Sequence, residues 1–565
     1  MRPNLNFFSS ARRNGKPSGF SDPRFADAPR FSLSMEQLAI VASLFFSLSA
    51  NYLFFSSALA GRPATSPHTW LFAVSIFVAI TALHTAGLLV LLNRWTAKPL
   101  LAILLVVTAA AAYYMNKYTV FFNTEMVRNV LKTDVKEASE LLSPGMLIHI
   151  LLFAVLPILV LWRIPLRRRP WKRAIPVRLL YIVGALLLAA GAIMLVFQDF
   201  SSLMRNQKEV RFLITPSNYL VSAIKVLGAD SSESGPRIPI SADAKLQPSW
   251  AKRSKPMLFV LVVGETTRAA NWGLNGYAHQ TTPELAQLDI LNFTRAQSCG
   301  TNTEVSVPCM FSPYGRHDYD EKEIRRHESF LHIIDHAGIH TLWRDNQAGC
   351  KGVCDGLEQQ RLDDSKDPEL CNGDRCLDEI LLKGLDAEIS KSKDGNVFVV
   401  LHQLGNHGPA YYQRYPPAMR RFTPTCDTSD LSKCTREQIV NSYDNGVLYT
   451  DHFLAKTIAF LKAQQKNYDT AMWYLSDHGE SLGENGIYLH GLPYSIAPKE
   501  QTHIPMVMWF SNGFLSSFHL NRDCLARKTD SPVSQDNLFH TVLGMLQIDS
   551  KYYEKAFDLT ADCRK

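Results

Sequence analysis

The chain has 565 residues, 46% of them hydrophobic and 20% charged, with a formal net charge of +7. That length holds more than one domain, and a composition this ordinary excludes a disordered, collagen-like or low-complexity chain. The charge is a difference between unlike halves: residues 1–250 carry 26 Lys+Arg against 12 Asp+Glu, a net of +14, and residues 251–565 carry 33 against 40, a net of −7. No compact basic domain survives the division, which excludes a nucleic-acid-binding protein.

In chain order, residues 1–35 form a basic N-terminal extension with Arg2, Arg12, Arg13, Lys16, Arg24 and Arg30 against Asp22 and Asp27. Five apolar runs follow, at about 36–60, 70–93, 99–115, 145–162 and 177–197. Each is near the ~20 residues that cross a bilayer as helix. They predict a five-helix transmembrane domain over 36–200. The first run begins too far from the start, and too many follow it, for a cleaved signal peptide. Arg94 and Lys98 lie between runs two and three. Arg163, Arg167, Arg168, Arg169, Lys172, Arg173 and Arg178 lie between runs four and five, with no acid. The positive-inside rule then places the N-terminus in the cytoplasm and everything after Phe200 on the far side, in a Gram-negative periplasm or at least outside the cytoplasm.

Between runs three and four, Asn129, Thr133 and Glu137 recur every four residues. On one helix they would form a polar stripe at the outer membrane surface, where lipid headgroups lie. An ordinary solvated face accounts for the spacing equally well. Residues 201–250 read as an interfacial helix, interrupted by Pro216, followed by a linker rich in Ser, Pro and charge.

All ten cysteines lie between Cys299 and Cys563. An even number confined to the segment placed outside the cytoplasm predicts disulfides. Buried thiols or a Cys-rich zinc site are the alternatives, and two clips at matched knuckle spacing are absent.

From Lys255 the pattern changes to short apolar runs between helical stretches. Residues 257–263, 396–402, 470–476 and 503–510 read as buried strands, and 436–465 as a helix. The alternation predicts an α/β domain over 251–565 with a largely parallel sheet. Ligands gather at the carboxyl ends of such strands. There the sequence carries Glu265 after the first strand, His402 and His407 after the second, and Asp477 and His478 after the third, with His490 twelve residues on. Carboxylate and imidazole groups from separate strand ends are what a zinc site needs. Between Cys299 and Cys309, Thr301, Thr303 and Ser306 stand at the predicted start of a helix. A hydroxyl there can be a metal-activated nucleophile for a phosphoryl group, or simply a helix cap.

Together the segments GETTR, SCGTNTEVSVPCMFS, CKGVCD, HQLGNHGPAYYQRY and LSDHGESLGENGIYLHG resemble the lipid A phosphoethanolamine transferases, which include the mobile colistin-resistance enzymes. The resemblance runs from the membrane helices to about Phe510. It implies five inner-membrane spans and a periplasmic domain of the alkaline phosphatase/sulfatase kind. It further implies transfer of phosphoethanolamine from phosphatidylethanolamine to lipid A phosphate through a phosphothreonine. By the same resemblance Thr303 is the nucleophile, and Glu265, Asp477 and His478 join it at a zinc ion. His407 and His490 bind the headgroup phosphate or a second zinc, and Lys351 contacts that phosphate. Asn129, Thr133 and Glu137 engage the ethanolamine lipid. Polymyxin resistance follows, because an added amine lowers surface negativity.

The N-terminal extension is longer than the resemblance implies. Spacing leaves three connectivities for the four cysteines of 350–376. The expected pairs are Cys299–Cys309, Cys350–Cys354, Cys371–Cys376, Cys426–Cys434 and Cys524–Cys563, in a protein taken as a monomer. A sulfatase would carry Cys/Ser-x-Pro-x-Arg, which residues 298–313 lack. A phosphoglycerol transferase is not expected to show the GNHGP and YLHG runs. A transferase acting on the lipopolysaccharide core or another periplasmic glycan is the nearest alternative. A non-catalytic membrane sensor or transporter is the remaining one, and it would need no convergence of Glu265, Asp477 and His478.

Overall fold

The computed structural model describes residues 32–167, 169–232, 235–373, 375–392 and 395–564. Most of the basic extension, residues 1–31, lies outside them. The N-terminal part is helical. Pro67–Leu91, Ala97–Tyr118, Pro144–Arg163 and Trp171–Leu195 are long and apolar enough to cross a membrane. The first apolar run is not one straight helix. It is a pair, Met35–Ser49 and Tyr52–Ala58, bent by 62°. Asn51 makes the bend. Its buried amide donates to Phe46 O at 3.0 Å and Thr215 O at 2.8 Å, and its Oδ1 accepts from Thr215 N at 2.9 Å. Those bonds fix a polar side chain inside an apolar bundle, where an unpaired amide would be costly. They also tie the bend to the segment that leaves the membrane helices.

The polar stripe is likewise divided. Thr124–Lys132 and Val135–Glu140 are separate helices, with Thr133 extended between them at ψ 133°. Thr133 Oγ1 donates to Asn129 O at 2.7 Å, and Asp134 caps the second helix by accepting from Glu137 N at 2.7 Å. A Thr-Asp pair offers the backbone these local bonds in place of continued helix. Asn129 and Glu137 therefore do not share one helical face.

The C-terminal part is built on eight strands. In chain order these are β1 Met257–Gly264, β2 Leu291–Gln297, β3 His340–Asp345, β4 Glu358–Arg361, β5 Val397–His402, β6 Asp469–Ser476, β7 His503–Phe510 and β8 Val533–Ser534. Their order across the sheet is β8-β2-β7-β6-β1-β5-β3-β4. The sheet is parallel except at β7, which runs antiparallel to both β2 and β6. Every residue of β1, β5 and β6 is buried, as continuous apolar strands covered on both faces must be. The long helix Arg436–Gln464 packs against the sheet, opened by a Thr435–Gln438 capping box. Five disulfides join Cys299–Cys309, Cys350–Cys354, Cys371–Cys376, Cys426–Cys434 and Cys524–Cys563.

Ion pairs clamp the end of the Ala97–Tyr118 helix and the segment that follows it onto the sheet domain. Lys117 meets Asp430 at 2.6 Å, Lys136 meets Asp364 at 2.6 Å, and Glu140 meets Arg375 at 3.2 Å as well as Arg414. Burial pushes the Glu140 carboxyl up, but Arg414 and Arg375 override it and hold the pKa below the usual range. Glu140→Ala would leave the buried Arg414 guanidinium without its carboxylate, and Arg375 with only Asp134 at 3.9 Å, and should cost about 3 kcal/mol. A lowered unfolding temperature in detergent checks this. Because the folded pKa is depressed, the wild-type contribution is full above the ordinary carboxylate pKa and fades as pH falls through the folded value. The unfolding temperatures of Glu140→Gln and wild type should accordingly converge in acid.

Candidate active site and metal centre

Three strand ends deliver the site. β1 runs into Glu265, β6 into Asp477 and His478, and β5 into the loop that carries His407. Glu265, Asp477 and His478 are each fully buried and offer ligand atoms within 4.8 Å of one another. His478 Nε2 lies 3.3 Å from Glu265 Oε1 and 3.4 Å from Asp477 Oδ2. The turn after β1 holds this in place. Thr266 is left-handed at φ 51°, a conformation a β-branched residue adopts at a cost of about 1–3 kcal/mol. In return Thr266 N donates to Asp477 Oδ1 at 3.1 Å, and Tyr443 Oη donates to Thr266 O at 2.6 Å. Gly405, at φ 53°, passes so close that a Cβ would sit 2.6 Å from Glu265 O.

Electrostatically the cluster is short of positive charge. Burial and the neighbouring Glu265 push the Asp477 carboxyl up to about 7. Burial works against the His478 imidazolium, yet Asp477 and Glu265 raise it to about 10. Glu265 Oε1 and Asp477 Oδ2 are buried without a hydrogen-bond donor. Two unsatisfied carboxylate oxygens converging with an imidazole nitrogen fit a zinc ion.

Thr303 stands beside them as the first residue of the helix Thr303–Met310. Its hydroxyl donates to Glu265 Oε2 at 2.9 Å and lies 3.5 Å from His478 Nε2. Capping falls instead to Asn302, whose Oδ1 accepts from Val305 N at 3.1 Å, so the Thr303 hydroxyl carries no cap. Thr301 turns away and donates to Leu492 O at 2.7 Å. The Cys299–Cys309 bridge spans this helix.

The remaining predicted residues fall in two groups. His407, His478 and His490 form a row, with ring centroids 4.5 Å apart for His478–His490 and 5.6 Å for His407–His490. His407 Nε2 meets Glu137 Oε1 at 3.0 Å, which brings Glu137 from the membrane part into the site. Burial opposes the Glu137 charge, but His407 overrides it and holds the carboxyl at about 2. Lys351, left-handed at φ 51°, pairs with Glu304 at 3.3 Å on the same helix as Thr303. Asn129 and Thr133 are half-buried and bonded to each other through the backbone rather than to these residues.

Two participants escaped sequence reasoning. Gln347 Nε2 donates to Glu265 Oε2 at 3.1 Å, from the loop after β3, a strand with no strong periodic signal. Glu480 accepts from His490 Nδ1 at 2.7 Å and from Tyr411 Oη. It stands inside the SDHGE run, but nothing in the sequence pairs it with a histidine ten residues away.

Comparison with known proteins shows which families and folds the chain resembles. Residues 258–548 match the family model described as sulfatase, and residues 80–230 match that described as phosphoethanolamine transferase EptA/EptB. Phosphoethanolamine transferase EptA of Escherichia coli K12 is 38% identical over 538 residues, 95% of this chain and 98% of that protein. Phosphatidylethanolamine transferase Mcr-1 of Escherichia coli is 34% identical over 542 residues, 94% and 96% of the two chains. The structure of the integral membrane lipooligosaccharide phosphoethanolamine transferase A from Neisseria meningitidis superposes with a TM-score of 0.89 at 40% identity, covering 94% of this chain and 100% of that one. With full-length coverage and matching fold, the chain belongs to the phosphoethanolamine transferase family.

Proposed function

We propose that this protein transfers phosphoethanolamine from phosphatidylethanolamine to a lipid A phosphate by double displacement through Thr303. It does so as a multi-pass inner-membrane protein, with its N-terminus in the cytoplasm and its catalytic domain over 251–565 in the periplasm. The observation that carries the proposal is the Thr303 hydroxyl, free of any cap and 2.9 Å from Glu265 in a buried cluster of unsatisfied carboxylates.

Glu265, Asp477, His478 and Thr303 would hold one zinc ion, which when bound lowers the pKa of a hydroxyl and neutralises anionic phosphate oxygens. Glu265 Oε2 orients Thr303 Oγ1 by accepting its hydrogen. In the first step Oγ1 bonds to the donor phosphorus as its hydrogen passes to Glu265 Oε2, and the phosphorus–glycerol oxygen bond breaks, so diacylglycerol leaves as the alcohol with a proton from His490. Glu480 fixes His490 through Nδ1, leaving Nε2 to deliver that proton. In the second step a lipid A phosphate hydroxyl gives its proton to His490 as its oxygen bonds to phosphorus, the bond to Oγ1 breaks, and Thr303 takes back its proton from Glu265 Oε2. Lys351 and His407 would balance charge on the phosphate oxygens. Glu137 would orient His407, and Asn129, Thr133 and Glu137 would engage the donor lipid from two separate helices and the turn between them.

Glu137→Gln keeps the size of the side chain but removes its charge. It should lower kcat/KM about tenfold or more, the scale seen when an orienting partner is lost. The unfolding temperature should also fall, because the pair that holds the Glu137 carboxyl at about 2 is lost, so rates are compared where both proteins are folded. Initial rates on phosphatidylethanolamine in mixed micelles check this. For the function itself, lipid A from cells with and without the chain is compared by mass spectrometry. A phosphoethanolamine addition that appears only with the chain, together with reduced polymyxin sensitivity, is the expected result. Unmodified lipid A with modified core sugars would favour the glycan alternative.

A further inference from the structure

At the end of the helical bundle remote from the catalytic domain lies a cavity of about 1000 Å³. Arg94, Lys98, Arg167 and Arg178 line it, together with Trp95, Trp162 and Trp171. The cations come from three places in the chain: the turn before the third long helix, that helix's first turn, and the connection into and along the fifth. Topology asks only that cations be present at this end. It does not ask that they converge on one concavity.

Charge in the cavity is not balanced from within. Glu36 is the one acid of the lining, and it is already paired with Arg169 at 3.1 Å. Among the described residues, Arg94, Lys98, Arg167 and Arg178 have no carboxylate partner. Arg94 rests over the Trp95 ring at 4.6 Å, Lys98 donates to Trp162 O at 3.0 Å, and Arg167 donates to Ser32 Oγ at 2.9 Å. The Nε of Arg178 is buried with no acceptor. The 25-residue helix Trp171–Leu195 also starts here, behind Pro170, with no side-chain cap. Its first N–H groups and positive dipole end favour an anion.

The surroundings select what kind of anion. Three tryptophans mark the depth of lipid headgroups, and Pro99, Leu179 and Ile182 continue the wall in apolar side chains. A zwitterionic headgroup would bring an ammonium with no free carboxylate to receive it. We propose that this cavity binds the phosphate headgroup of an anionic glycerophospholipid, its acyl chains lying along the apolar wall. It is a lipid site separate from the donor site at the other end of the bundle. Basic pockets between membrane helices hold anionic lipids elsewhere on the same physical ground.

The test uses native mass spectrometry of the full chain released from detergent, with phosphatidylglycerol and phosphatidylcholine of matched acyl chains. Phosphatidylcholine is the zwitterionic control, because phosphatidylethanolamine would also occupy the donor site. The expected result is a one-to-one phosphatidylglycerol adduct, favoured at least tenfold. Arg94→Gln, at an exposed position, should weaken it about fivefold, and adding Arg178→Gln should bring the loss to about 25-fold. Lys at both positions should retain it. Equal retention of the two lipids by wild type would overturn the proposal, as would unchanged phosphatidylglycerol binding by Arg94→Gln. Displacement of the lipid by inorganic phosphate alone, or binding seen only after residues 1–31 are removed, would overturn it too. The first would make the cavity a free-phosphate site, the second the seat of the N-terminal segment.

Discussion

Replacing Thr303 by alanine should abolish phosphoethanolamine transfer while leaving the protein folded. The loss should be at least about 10⁴-fold, since removal of a nucleophile leaves only binding and electrostatic effects behind. Stability should change by no more than about 1 kcal/mol, the net value of one hydrogen bond. Two observations keep that figure small. Asn302, not Thr303, caps the helix, and Glu265 Oε2 keeps its second donor, Gln347 Nε2 at 3.1 Å. Thr303→Ser, which retains the hydroxyl, should keep measurable transfer. Lipid A mass spectrometry and thermal unfolding of the same preparations check both halves. Transfer at wild-type level by Thr303→Ala would exclude this residue as the nucleophile.

Asp477→Asn should reduce metal affinity by at least about a hundredfold, the upper end of what outer-shell changes alone achieve. Metal content by elemental analysis and chelator competition measure it without reference to activity. Stability should respond with opposite signs in the two states. A metal bound only by the native state stabilises by mass action, so chelation should lower the wild-type unfolding temperature. The metal-free wild type must also hold a buried Asp477 against Glu265, and burial together with that neighbour pushes the Asp477 carboxyl up to about 7. Metal-free Asp477→Asn should therefore melt no lower than metal-free wild type. A variant that binds zinc as tightly as wild type would remove Asp477 from the ligand set.

The long apolar stretches made most of this architecture legible in the sequence. β1, β5, β6 and β7 are continuous buried runs, and Arg436–Gln464 is a capped, periodic helix, so their places were readable to within a residue or two. The weaker strands were not. β2 alternates polar and apolar residues, β4 is largely exposed, and β8 has two residues. Local polar bonds caused the other departures. Asn51 reads as one tolerated amide in an apolar run, yet its bonds to Thr215 bend the first span by 62°. Thr133 and Asp134 fit a helical spacing of four, yet their side chains bond the backbone and divide the helix.

Strand-end residues of the site were legible because chemistry at such ends is a property of the fold. Contacts from outside the motifs were not. Glu137 reaches His407 across 270 residues of sequence, and Gln347 reaches Glu265 from a loop with no motif. Glu137 thus joins the membrane part to the catalytic loop. Its helix is pinned by Glu140 to Arg375 and Arg414 only three residues on.

Incubation of the full chain with phosphatidylethanolamine and no acceptor, followed by digestion and peptide mass spectrometry, tests the central claim most directly. One phosphoethanolamine group on Thr303, released when lipid A is added, is the expected result. An adduct on Thr301, Ser306 or a histidine would contradict it. So would transfer that proceeds with no covalent adduct under single-turnover conditions.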